Sequence, residues 1–236
     1  MSSPIETLES SPDAVQAKDH DFIPYVAPMF AYVALSSLEG YLPSTSWYPA
    51  AYAVKAAIVA AIMWHYRLTW KDLRPMPGLL DIVLAVALGF LVIGLWIGLD
   101  GRYPNLPFMG GPRQAFDPNT LGTGGKWAFI AVRMLGLVLL VPVFEELFWR
   151  SFLNRWIIDQ DFGKVPVGKV TWISAGATAA LFAMAHPEWL PALLTGLIWA
   201  GLLAYTKSLS ACVISHLVAN LVLGVYVIAA QAWKFW

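Results

Sequence analysis

Charge, cysteine and polar surface are what this sequence has least of. Only 13% of its 236 residues are charged, about half the share in an ordinary soluble domain. A soluble fold of this length needs more polar surface than that to cover one core, so lipid is the expected solvent for most of the chain. Net charge is zero and no basic block stands out, which excludes a nucleic-acid partner. The single cysteine, Cys212, excludes an intrachain disulfide and any cysteine-based zinc cage. An apolar leader is also missing. The first 21 residues, "MSSPIETLESSPDAVQAKDHD", hold five acids and one lysine, so 1–21 reads as a short disordered tail rather than a signal or transit peptide.

What is present is apolar. Hydrophobic residues make up 58% of the chain and the mean hydropathy is +0.62. A spanning helix needs about 20 largely apolar residues, and about seven such runs occur between 22 and 236. They lie near Phe22–Leu38, Trp47–Tyr66, Leu79–Leu99, Trp127–Leu153, Val170–His186, Leu190–Thr206 and Leu209–Trp233. The expected fold is an all-α integral membrane protein, a polytopic bundle of about seven transmembrane helices. "RLTWKDLRPMPG" joins the second and third runs, and a Gly- and Pro-rich loop joins the third and fourth. "GLWIG", Gly94 to Gly98, has the spacing of a close helix contact.

Loop charges set the orientation. The N-terminal side carries Lys18, Arg67, Lys71, Arg74, Arg155, Lys164, Lys169 and Lys207, against Arg102, Arg113, Lys126 and Lys234 on the other. That bias predicts a cytoplasmic N terminus and an external C terminus. Lys55 and Arg133 fall inside apolar runs and are expected to snorkel or pair. His65 reads as interfacial, and His20 lies in the tail.

Within "VLLVPVFEELFWRSFL", Val138 to Leu153, two acids and a base interrupt the apolar run. Glu146 and Arg150 are four residues apart and share a helical face, where each offsets the other's charge. Glu145 is turned by about 100° from Glu146, so the pair divides: Glu146 supports and Glu145 is placed for chemistry. Pro142 has no N–H and should leave the Val138 carbonyl without its helical donor. Two histidines add to the pattern. His186 ends the fifth run just before a proline, and His216 and Asn220 stand at i, i+4 in the seventh. Each alone suits an interfacial anchor or an interhelical bond. A shared polar site explains all of them together.

Those residue types support hydrolysis. A carboxylate in a poorly solvated site is an effective general base toward water. A histidine beside it relays the proton, and a second histidine with an amide can donate to an oxyanion. No serine or cysteine is placed as a nucleophile: Ser215 adjoins His216 but faces elsewhere, and Cys212 reads as a packing residue.

"EELFWR", "FAMAH" and "HLVAN" match the EExxxR, FxxxH and HxxxN motifs, in order and on successive runs. Over roughly Trp127 to Trp233 the chain resembles the CPBP family. That family includes the type II CAAX prenyl endopeptidases, also called glutamate intramembrane proteases. The resemblance implies an intramembrane endopeptidase acting on a membrane-anchored or lipidated peptide. It implies Glu145 as the base that activates water with help from His186, and His216 and Asn220 as the oxyanion-hole side chains. Glu146, Arg150 and Phe182 then support the site. It also implies a metal-free mechanism and no cofactor, although two histidines and a carboxylate form a set that zinc accepts. The Gly/Pro loop and tryptophan-rich first half are similar to a bacterial branch found beside exosortase sorting systems. That likeness implies an inner-membrane location and such a system as partner.

Two readings compete with a peptidase. A non-proteolytic membrane partner, such as a bacteriocin-immunity or sorting component, would be able to lose Glu145, yet the motif set is complete. A transporter would show inverted repeats or broken helices in matching halves, and none is seen. One geometric difficulty accompanies the peptidase reading. Glu145 and His216 lie about 12 Å from the near ends of their runs but His186 about 24 Å from its own. To meet, the fifth helix must begin outside the lipid, or the fourth must project through the amphipathic "RSFLNRWI".

Overall fold

A computed structural model of the chain describes residues 21–39, 47–106 and 116–236. The tail expected over 1–21, with Lys18 and His20, lies outside the described residues except for Asp21, and so does Arg113. Among the described residues there are seven main helices and no strand, counting the continuous helix Thr123–Ile158 as one. They are α1 (Ile23–Glu39), α2 (Tyr48–His65), α3 (Leu79–Leu99), α4 (Thr123–Ile158), α5 (Trp172–Met184), α6 (Trp189–Thr206) and α7 (Leu209–Ala230). The all-α bundle read from hydropathy is the fold found.

Four of these, α3, α4, α6 and α7, are long and apolar enough to cross a membrane. The fifth run is not a full span. Its helix has 13 residues, about 20 Å against a hydrocarbon core of about 30 Å. Local chemistry sets that length. Thr171 and Ser174 form a reciprocal cap, each side chain taking the other's backbone N–H at 3.1 and 3.0 Å, and Pro187 cannot continue the helix at the other end. The fourth run is longer than expected, with 36 residues in one helix, about 54 Å. α4 therefore outruns the bilayer, as "RSFLNRWI" allows.

Helix direction alternates, so the bundle has two poles. At one meet the start of α1, the segment between α2 and α3, the end of α4 and the start of α7. Tyr25 donates to Asp72 (2.9 Å) and Ser210 to the Leu73 carbonyl (2.5 Å) there. At the other meet the ends of α3 and α7 and the starts of α2 and α4. Lys234 pairs with Asp100, Trp189 donates to the Pro104 carbonyl (3.0 Å), and Tyr48 stacks on Phe116, which meets Phe129 edge-on.

Close contacts use other glycines than Gly94 and Gly98, which have no atoms within 4 Å of a would-be Cβ. The tight crossing of α3 and α7 is at Gly89, where a Cβ would stand 2.6 Å from the Ser215 carbonyl oxygen. Gly196 does the same for α6 against Ala179 of α5, at 2.8 Å. Both glycines let backbones approach to a distance that any side chain would block.

Candidate active site

α4 is not a uniform α-helix. Two widened π turns, Gly136–Leu140 and Leu147–Leu153, bracket the α-helical segment Val141–Glu146 that carries both glutamates. In the first, the Val141 N–H reaches the Gly136 carbonyl, five residues back. In that register the donor due at the Leu137 carbonyl is Pro142, which has none. The carbonyl left over is thus that of Leu137, not Val138 as helical counting suggested. Asn220 of α7 supplies the missing bond, its Nδ2 donating to Leu137 O at 2.8 Å. An amide NH₂ has two N–H groups, so one remains for another acceptor.

Glu146 is sealed from solvent and Arg150 is 2% exposed. Glu146 Oε1 accepts from Arg150 Nη1 at 3.2 Å and stands 3.0 Å from His216 Nδ1. A carboxylate is acceptor-only, so Nδ1 carries the proton and Nε2 is the nitrogen that can face a substrate. Neutral, Nε2 accepts; as imidazolium, it donates. The pair expected within α4 is therefore a triad that also holds α7.

Aromatic rings wall this triad. The Arg150 guanidinium lies over Phe182 (4.8 Å) and Trp199 (5.0 Å), and Trp199 stacks on His216 at 4.4 Å. Trp199 is itself held by its indole N–H to Ser215 Oγ at 3.0 Å. Phe182 meets Trp149 at 5.5 Å and the His186 ring at 4.4 Å. His186 is half-buried, its Nδ1 2.7 Å from the Phe182 carbonyl and its ring against Trp96 at 5.8 Å. Cys212 packs beneath, wholly buried, its Sγ 3.5 Å from the Trp199 carbonyl.

Register puts Glu145 and His186 at one level. Phe182 packs against Trp149 and Arg150, and α4 and α5 run in opposite directions. One turn back from Trp149 on α4 is Glu145, and one turn on from Phe182 lies His186. The depth mismatch also disappears. Glu145 is 13 residues from the near end of α4 and His186 is 14 beyond the start of α5, about 20 Å in each case. Glu145 itself is buried, 7% exposed.

Sequence reasoning missed the second polar cluster. Asp72, from the short basic segment, accepts from Tyr25 Oη (2.9 Å), Ser151 Oγ (2.5 Å) and Arg155 Nη2 (2.7 Å). Arg155 also donates to the Ser151 carbonyl and, at 3.3 Å, to Val165 O. This network ties the far end of α4 to the α2–α3 connection and supports the motif helix from outside the motifs. The signal available was that Asp72 is the only acid in a loop of bases. Trp199 had no sequence signal beyond its apolarity.

Among the described residues no three His, Cys, Asp or Glu side chains gather as a metal-binding group.

No curated protein and no solved structure matches the chain. Residues 127–222 match the family model described as type II CAAX prenyl endopeptidase Rce1-like. Glu145, Glu146, Arg150, Phe182, His186, His216 and Asn220 all fall inside that interval. The protein is an integral membrane protein, and the polar cluster it encloses lies within the residues that are similar to the type II CAAX prenyl endopeptidase Rce1-like family model.

Proposed function

We propose that the protein is an intramembrane endopeptidase that hydrolyses a peptide bond of a membrane-anchored or lipidated substrate with glutamate-activated water. The observation that carries this reading is the convergence of three separated motifs on one buried knot. Glu146 and Arg150 come from the first, Phe182 from the second and His216 from the third. Polar atoms inside the knot support a ligand there. Glu146 Oε2, Arg150 Nη2 and Trp149 Nε1 are sealed and make no hydrogen bond among the described residues, which is costly unless something polar visits.

In this reading Glu145 takes a proton from water as its oxygen attacks the scissile carbonyl carbon. The carbonyl π electrons move to oxygen, giving a tetrahedral oxyanion. His216 Nε2, as imidazolium, and the second N–H of Asn220 donate to that oxyanion. Collapse re-forms the carbonyl and breaks the C–N bond, and the proton held by Glu145 passes, with His186 as relay, to the departing amine. Glu146 and Arg150 do not touch the reacting atoms. They fix the His216 tautomer and ring plane, which makes them positioning residues.

The test separates the glutamates. Glu145→Gln keeps shape but cannot take a proton, and it should give folded protein whose cleavage rate per molecule falls by a factor on the order of 10² to 10⁴. Cleavage of a membrane-anchored peptide and thermal unfolding are measured on the same detergent samples. Near-full turnover in Glu145→Gln would remove Glu145 from the mechanism. A stable but inactive Glu146→Gln would make Glu146 the base instead.

A further inference from the structure

A second buried cation remains outside this chemistry. Arg133 of α4 is 8% exposed. Its guanidinium makes no ion pair or hydrogen bond among the described residues, and its Nε is sealed. What it does touch is aromatic: the Tyr52 ring at 4.5 Å and the Trp236 ring at 6.0 Å. Trp236 Nε1 is likewise buried with no acceptor. Glu39, the carboxylate whose charge reaches Arg133, pairs through Oε2 with Lys55 at 2.6 Å while its Oε1 is buried without a hydrogen bond, and Lys55 also donates to Ser36 Oγ at 3.0 Å. Two cations thus share one carboxylate. An arginine cannot shed its proton, and a guanidinium out of water without a counter-charge is strongly disfavoured. Ring faces recover only part of that.

The arrangement is rigid and lies at a defined depth. The Tyr52 hydroxyl donates to the Arg133 carbonyl at 3.3 Å and abuts Gly136, which has no side chain to displace it. Arg133 is six residues beyond the exposed Trp127, about 9 Å along the axis. Helical side chains lean toward the N-terminal end, which carries the guanidinium back toward Trp127. Trp127 and Lys234, both exposed at this pole, are the aromatic and basic residue types that sit at headgroup level. An anion at that depth, beside lipid, is a headgroup phosphate.

We propose that Arg133, with the Trp236 indole N–H, binds the phosphate of an anionic phospholipid in the leaflet on the side where α7 ends. The site is at the opposite end of α4 from Arg155 and is independent of the peptidase reading. It is read by binding, not by cleavage.

The full chain is purified in detergent, stripped of lipid, and titrated with phosphatidylglycerol while bound lipid is counted by native mass spectrometry. Diacylglycerol and inorganic phosphate are the separating arms. The expected result is one retained phosphatidylglycerol, bound at least about tenfold more weakly by Arg133→Gln, with no retention of diacylglycerol. Trp236→Phe keeps the ring and removes the donor, and it should weaken retention by a few-fold, about two to five. It serves as the decisive variant if Arg133→Gln does not fold. Equal retention by wild type and both folded variants overturns the proposal. Inorganic phosphate that displaces the lipid at millimolar concentration, about its own affinity for the wild type, overturns the lipid as occupant and assigns a soluble anion.

Discussion

Three buried arginines stand on α4, and they are not treated alike. Arg150 and Arg155, in the half toward the first pole, each close on a carboxylate, Glu146 and Asp72 respectively. Arg133, about three turns from the other end of the same helix, closes on none. The first two are architecture: each charge was brought inside together with its opposite, Glu146 reaching α7 through His216 and Asp72 tying Arg155 to the segment between α2 and α3. The third is a charge brought in alone. The difference teaches that burial by itself says little about a cation's role, whereas the identity of its counter-charge says a great deal.

The comparison breaks most sharply at Glu146. Glu146→Gln should destabilise by about 3–5 kcal/mol, because it strands Arg150 in a sealed site without its counter-charge and leaves only a neutral amide oxygen to hold both Arg150 and His216. Thermal or chemical unfolding in detergent reads this, and Arg150→Met added to Glu146→Gln should recover part of the loss. Asp72→Asn comes next, at about 2–4 kcal/mol, since three donors converge on one oxygen there. Its cleavage rate per folded molecule should stay near wild type, which separates scaffold from site.

Asn220→Leu removes the bond to the Leu137 carbonyl and should cost about 1–3 kcal/mol together with activity. A loss of activity with no loss of stability would mean that the π turn does not depend on Asn220. The smallest effect is expected at the odd member. Arg133→Met should change stability in lipid-free detergent by less than about 1 kcal/mol, and a gain would fit the removal of an uncompensated charge. A loss as large as that of Glu146→Gln would show that Arg133 is as architectural as the other two.

Much of the site could be read from residue order, and the reason is specific. Glu146 with Arg150, and His216 with Asn220, are pairs at i, i+4, and helical periodicity alone places each pair on one face. The number and succession of apolar runs followed from hydropathy for the same local reason. What could not be read depends on departures from that periodicity or on contacts between helices. A π turn adds a residue to a turn, so the orphan carbonyl moved from Val138 to Leu137. Nothing in "GLWIG" distinguishes Gly94 from Gly89; only the path of α7 does. Asp72 lies 79 residues from Ser151 in the chain, and no local pattern connects them. The full-length fifth span failed because Thr171, Ser174 and Pro187 set helix ends that an apolar run does not show.

That short fifth helix bears on the lipid as much as on the protein. A segment of about 20 Å beside neighbours long enough to cross leaves acyl chains on its flank with too little apolar wall to lie against. Trp172 and Ile173, at its start, are 96% and 76% exposed. The bilayer must thin along that side, or headgroups and water must dip toward the level of His186, just past the helix end. The membrane beside the site is then at its shallowest. An aqueous reactant has the shortest path there, and a thicker, sterol-like bilayer is the environment this fold suits least.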